Sequence, residues 1–238
     1  MSRFKIYTLL ALFLFTLTGA ASAQIGDRTP AALSTIHGIP DLPMPADVYV
    51  NGTYQTTFDF GESTGPVRLD AGIYEVEIRL GEVTLLVAKA ELAVGSNSTM
   101  VAHLDEDGGP RLSVFENDLS SLSRDEARLT VRHTAQAPKV DVRLIRAPGP
   151  SSARTFGGAN TTTPYGWLTI RGLGNSGQIG PIEVRAGSYT ASVLVDRAEI
   201  LNTGTLALSD NASYTVYVIG SFNDSLKLFV QRFDSAPR

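Results

Sequence analysis

The sequence predicts an all-β protein built as two antiparallel β-sandwich domains in tandem. Three observations predict it: apolar residues with a period of two, one long unit used twice, and a composition rich in turn formers. In "IYEVEIRL", Tyr74, Val76, Ile78 and Leu80 fall on one side and Glu75, Glu77 and Arg79 on the other. In "SYTASVLV", Tyr189, Ala191, Val193 and Val195 fall on the matching side. Alternation of this kind marks a strand with one face on a core and the other in water. "ADVYVNG" sets Ala46, Val48 and Val50 against Asp47 and Tyr49, and "VDVRL" sets Val140, Val142 and Leu144 against Asp141 and Arg143. The 22 glycines and 12 prolines of the 238-residue chain supply the turns between such strands.

The repeat orders the chain. "LSTIHGIPDLPMPADVYVNG" from Leu33 aligns with "LTVRHTAQAPKVDVRLIRAPG" from Leu129. "LDAGIYEVEI" aligns with "VRAGSYTASV", and "LAVGSNSTMVAHL" with "LALSDNASYTVYVIG". A unit of roughly 85 to 110 residues is of ordinary domain size. The expected layout is a leader over 1–23, a flexible N-terminus over 24–32, a first sandwich over 33–118, a linker over 119–127 and a second sandwich over 128–238. Ser123 and Glu126 in "SLSRDEARL" form the pattern of a capping box, which predicts one helical turn in the linker. Gly72 and Gly187 are expected to adopt a backbone conformation that other residues resist. Tyr74 and Tyr189 are expected to face the core and give their hydroxyls to a loop carbonyl.

The leader is read from "MSRFKIYTLLALFLFTLTGAASAQ". Arg3 and Lys5 give a basic start, an apolar run follows, and the small residues "ASA" end at Ala23. That is the three-part secretory pattern, and the run is shorter than the roughly 20 residues of a membrane span. The mature chain is therefore expected to be periplasmic or secreted, with no membrane insertion once the leader is cut. There is no cysteine, so disulfides, thiol nucleophiles and thiolate metal sites are excluded. The formal net charge of −4 argues against nucleic acid as a partner.

"IHGIPDLPMPADVYVNG" followed by "LDAGIYEVEI" resembles a bacterial family, the domain-of-unknown-function family 4397. Its members carry a His-containing stretch with Pro-Asp, then Val-Asp-Val-Tyr-Val-Asn-Gly, then Ala-Gly-x-Tyr. The resemblance is to two copies, the second divergent: "RHTAQAPKVDVRLIRAPG" lacks both Pro-Asp and Asn-Gly. It implies an exported protein of two tandem antiparallel immunoglobulin-like β-sandwich domains, and no activity.

Candidate chemistry is sparse. His37 and His133 occupy equivalent places, with Asp47 and Asp141 following at similar distances, which would suit a base and its orienter. No nucleophile motif accompanies them, so both histidines are assigned to structure. Asp105, Glu106 and Asp107 precede Gly108 as in a partial calcium loop, but the later Glu is missing, and a plain turn is the better reading. Three histidines without close spacing make no zinc site. No metal and no cofactor is expected.

The second unit carries 21 more residues than the first between Asp141 and Gly187. Within them Arg154, Phe156, Tyr165 and Trp167 place a guanidinium and three aromatic rings among small residues. Those residue types most often anchor a partner, which makes this segment the candidate binding surface. The chain is expected to be no enzyme but a binding, adhesion or envelope-assembly module with an envelope protein or polymer as partner. The alternative is a hydrolase of a cell-wall or extracellular polymer, for which Glu75 and Glu77 are the available carboxylates.

Overall fold

The computed structural model describes residues 29–147 and 167–237. They form seventeen strands and no helix. In the first half, β1 (Ala31–His37), β4 (Ser63–Leu69), β7 (Asn97–Leu104) and β8 (Pro110–Glu116) make one sheet in the order β4-β1-β7-β8. Its companion has the order β3-β2-β5-β6, from β2 (Ala46–Val50), β3 (Thr53–Phe58), β5 (Gly72–Leu80) and β6 (Val83–Leu92).

The second half repeats these pairings. β9 (Glu126–Gln136), β12 (Gly177–Arg185), β16 (Ala212–Ser221) and β17 (Lys227–Asp234) take the order β12-β9-β16-β17. β10 (Val140–Arg146), β11 (Trp167–Leu173), β13 (Gly187–Val195) and β14 (Ala198–Asn202) take the order β11-β10-β13-β14, and β15 (Leu206–Leu208) pairs with β13. Even the register recurs: Asp47 lies opposite Arg79, and Asp141 opposite Leu194.

The sheets stack in four layers, and the alternation of side chains shows how. Met100 and Ala102 join the core that includes Val48 and Ile78, whereas Val101, between them, packs with Ile36, Tyr217 and Ile219. Val216 and Val218 join the core of Val142, Ala191 and Leu129, while Tyr217 and Ile219 point the other way. The sheets holding β7 and β16 are therefore inner layers, buried on both faces. The other two sheets are outer layers.

The sequence reading assumed half-buried strands paired antiparallel throughout. Both points need correction. β7, β9 and β16 are covered on both sides because the inner sheets pack back to back. Each inner sheet also contains one parallel pair, β1 with β7 and β9 with β16. Parallel neighbours need a long crossover, and the intervening outer-sheet strands provide it. The N-terminus assigned as flexible over 24–32 already contains the start of β1, since Ala31 is fully buried. The expected helical turn is absent. Ser123 instead accepts a bond from the Glu126 N–H at 3.3 Å, Asp125 takes a positive φ of 64°, and the chain enters β9 directly.

The two Ala-Gly-x-Tyr stretches differ in what they ask of glycine. Gly187 has φ 150°, and a Cβ there would lie 3.1 Å from the Arg146 guanidinium. Gly72 has no left-handed φ, and a Cβ would meet only Tyr74 at 3.9 Å, so the expectation fails at this position. The tyrosines act alike. The Tyr74 hydroxyl donates to the Asp70 carbonyl at 2.8 Å, and Tyr189 to the Arg185 carbonyl at 2.7 Å. A second shared device sits just upstream. Gly65 and Gly180, each before a proline, have φ 98° and 103°. Each packs so tightly that a Cβ would come within 2.7 Å of a carbonyl of the neighbouring strand, Leu33 or Leu129. Both sit at bulges of edge strands, where a proline removes no needed donor.

β9 carries two buried arginines, Arg128 and Arg132, and the inner layers meet around the second. Arg132 is 1% exposed and, among the described residues, has no carboxylate partner. Its guanidinium donates to the Asn117 amide oxygen at 2.8 Å, the Tyr217 hydroxyl at 2.6 Å, the Glu116 carbonyl at 2.8 Å and Gln178 at 2.8 Å. It also lies over the Phe115 ring at 4.7 Å. Burial pushes this guanidinium below its usual pKa, and the Tyr217 hydroxyl works against that fall. Arg132→Met keeps the bulk and strands four acceptors in a dry junction. It should cost about 3 kcal/mol or more of stability, because a buried polar group left unmade carries its full desolvation penalty. Urea unfolding reads this directly; a variant as stable as the parent would mean that the junction is held by its apolar contacts alone.

Candidate binding site

The histidines are closed into the fold. The His37 ring accepts the Ile39 N–H on Nδ1 at 3.2 Å and packs on Phe58 with centroids 5.2 Å apart. His133 Nδ1 accepts the Ala135 N–H at 3.3 Å, and its Nε2 lies 3.0 Å from the Pro138 carbonyl, to which it donates. His103 spans the Leu104 carbonyl at 2.9 Å and the Ser113 hydroxyl at 2.8 Å. All three are at most 2% exposed. Burial lowers each pKa, that of His37 to about 4. Asp47 and Asp141 are engaged elsewhere: Asp47 takes the Thr57 hydroxyl, and Asp141 takes the Gly172 N–H at 2.9 Å. The sequence-level His–Asp pairing is thus not made on either side.

The other candidates are likewise self-contained. Asp105 Oδ1 accepts the N–H groups of Asp107 and Gly109 at 3.0 and 2.7 Å and so caps its own turn. Among the described residues, no three His, Asp or Glu side chains gather as a metal site would need. Glu77 is tied to Arg79 at 2.6 Å, and Glu75 lies opposite Lys89 across β5 and β6. Arg154, Phe156 and Tyr165 lie outside the described residues. So does the side chain of Trp167, whose backbone opens β11 opposite Ile145.

Two clefts of similar size differ in chemistry. One, about 600 Å³, runs between the inner layers past Asn117 and Asp118. Among its polar groups the side chains of Asn117 and Asp118 are already taken, whereas the buried Ser96 hydroxyl has no partner among the described residues. Asn117 bonds Asn97, Thr99 and Arg132. Asp118 holds Arg128 at 3.0 Å and Ser120. The other, about 570 Å³, is a groove on the open face of the second outer sheet. Arg143, Arg171 and Arg197 line it with Asp141, above a floor of Ile145, Thr169 and Leu194. Among the described residues, none of the three guanidinium groups has a carboxylate within ion-pair distance.

Local structure sets their positions. Arg143 sits between Thr169 of β11 and Ser192 of β13. A bulge places Arg171 and Gly172 together opposite Asp141, and Gly172 takes φ 69° to turn the strand there. Arg197 projects from the β13–β14 turn, itself at φ 70°. The matching face of the first half is closed by contrast. Tyr49, in the place of Arg143, carries the Arg79 guanidinium stacked 4.1 Å above its ring, and Arg79 is also neutralised by Glu77. Sequence reading missed this groove, because its arginines come from three separate segments and none forms a motif. The available signal was the change of Tyr49 to Arg143 between aligned units.

Known proteins offer limited comparison. A family model described as a domain of unknown function (DUF4397) matches residues 31–143. It matches once. The resemblance had implied two copies, and the single match ends inside β10 at Arg143. No curated protein matches the chain. A solved structure from Bacteroides ovatus, provisionally described as a cell adhesion protein, is similar over 89% of this chain and 99% of its own, with 9% identity and a TM-score of 0.28.

The buried histidines fix how stability depends on pH. An unfolded histidine binds a proton below about 6.5, whereas His37 stays neutral down to about 4. The unfolded chain therefore binds more protons in that window, and stability falls as pH drops through it. The expected slope is up to about 1.4 kcal/mol per pH unit for each histidine held neutral. His37→Gln should flatten it. Denaturant midpoints measured from pH 7.5 to 4.5 test this, and a flat or rising profile toward acid would contradict the buried neutral state.

Proposed function

We propose that this protein is an exported, non-catalytic binding module of a bacterial envelope, built from two immunoglobulin-like units that share one ancestral plan. Its binding surface is the open face of the second outer sheet. The observation that carries this reading is the contrast between the two outer faces. The first has its cation stacked and paired. The second exposes three guanidinium groups with no ion pair among the described residues, around a groove floored by Ile145 and Thr169. A surface that keeps unpaired cations beside apolar area is suited to holding a partner. Support for the two-unit plan comes from the recurring pairings, the paired Tyr74 and Tyr189 bonds, and the Gly-Pro bulges.

Catalysis is the weaker reading. The described histidines place ring nitrogens on backbone and hydroxyl partners, and in the cleft lined by Glu116 and Asp118 the Asp118 carboxylate is already held by Arg128 and Ser120. The leader sequence supports export, and the residues between Arg146 and Trp167 border the groove in sequence, which fits the binding role given to Arg154, Phe156, Tyr165 and Trp167.

Trp167 is the sole tryptophan and its backbone opens β11 of this sheet, so its emission can be followed without labelling. Titration with a purified envelope polysaccharide fraction should shift or quench that emission, reversibly and with the polymer recovered at unchanged length. Shortened polymer that disappears with a Glu77→Gln or His133→Gln variant of normal stability would replace the binding reading with the hydrolase.

A further inference from the structure

We infer that the groove of Arg143, Arg171 and Arg197 binds a carboxylate-bearing polysaccharide, its sugar rings lying across β11, β10 and β13. The inference rests on the binding-module reading above and names the ligand class for the same face.

Charge is the first reason. The chain as a whole is acidic, with a net charge of −4, yet this groove gathers three arginines against one carboxylate. That carboxylate, Asp141, is already oriented by the Gly172 N–H. Glu199 stands nearby and attracts Arg143, but it is held by Asn202 and Ser192 outside the groove lining. Unpaired guanidinium groups on fixed strands offer planar, two-pronged donors, the geometry that a carboxylate accepts best. Lysines would supply a field; arginines supply orientation as well.

Topology is the second reason. The three cations come from three different segments: β10, β11 and the β13–β14 turn. A ligand that meets all three must cross the strands on the sheet face. An acidic peptide would more naturally add along the edge of β11, where backbone donors and acceptors run parallel to it, and of the three arginines only Arg171 stands on that strand. A polyuronate carries one carboxylate per sugar and presents ring faces between them. Ile145, 39% exposed, gives those rings an apolar contact, and Thr169 gives their hydroxyls a partner.

The first unit shows that the fold does not need these charges. At the place of Arg143 it has Tyr49, and at the place of Leu194 it has Arg79, which is neutralised locally. The arginines of the second unit can therefore be removed without loss of the sandwich.

The test uses the full mature chain with three polymers: polygalacturonate, dextran and polyaspartate. The expected result is binding of polygalacturonate that weakens as salt rises, no binding of dextran, and weaker binding of polyaspartate. The triple variant R143Q/R171Q/R197Q, checked for an unchanged thermal melt, should lose at least about a hundredfold in affinity, since each charge-assisted pair is worth about tenfold or more. Polygalacturonate binding unaffected by the triple substitution, or absent altogether, overturns the inference. Tighter binding of polyaspartate overturns it in favour of an acidic peptide. If dextran or an unfractionated envelope polysaccharide binds and polygalacturonate does not, the ligand class fails while the binding module stands. Shortening of polygalacturonate during the assay would sink the non-catalytic reading instead, leaving the ligand class intact.

Discussion

The structure depends on a cation buried where two sheets meet back to back. Arg132 reaches from β9 across the junction to Glu116 and Asn117 at the end of β8, and sideways to Tyr217 and Gln178. A charged group in a dry site is costly unless each donor finds an acceptor. Here the acceptors are neutral, and they come from both halves of the chain. Tyr217 passes the arrangement on through Gln231, which also takes the Thr99 hydroxyl at 3.0 Å. Around the network Ile36, Val101 and Ile219 exclude water. Apolar packing supplies most of the attraction, being non-directional, and the hydrogen bonds fix the registry of one half against the other.

That junction decides where function can lie. Packing the inner sheets together consumes both faces of β1, β7, β9 and β16, together with all three histidines. Among the described residues the outer sheets each keep one face open, and the two open faces differ. The first half stacks Arg79 on Tyr49, which leaves a quiet surface. The second half replaces that pair with Arg143 and Leu194 and adds Arg171 at a bulge. The same strand order thus carries two outer faces of different charge, one with its arginine stacked and paired and one with three arginines around a groove.

Much of this was legible in the sequence, and the illegible part has a common cause. Local pattern was readable: the alternation in "IYEVEIRL", the tyrosine hydroxyl given to a loop carbonyl, and the all-β class. So was the alignment of His37 with His133, whose Nδ1 atoms accept the N–H two residues on in both halves. What escaped depends on contacts distant in the chain. "LTVRH" looked half-polar, and nothing near Arg132 shows that its partners lie at 116, 117, 178 and 217. In "SYTVYVIG" nothing local shows that Tyr217 is fully buried. "SLSRDEARL" carried a capping signal, and tertiary pairing of β9 overrode it. The Gly-Pro pairs at 65–66 and 180–181 stand at the same offset before Ala-Gly-x-Tyr in both halves, and each marks a bulge.

Native-state hydrogen exchange tests most directly whether the junction makes the two halves one cooperative body. If it does, the amides of 99–102, 130–134 and 215–219 exchange together, only through global opening and with one denaturant dependence, while those of 168–171 and 198–202 exchange faster by local opening. Amides of 99–102 and 215–219 that report two different opening free energies would show halves that unfold independently, and the buried arginine would then be a local contact and not the centre of the fold.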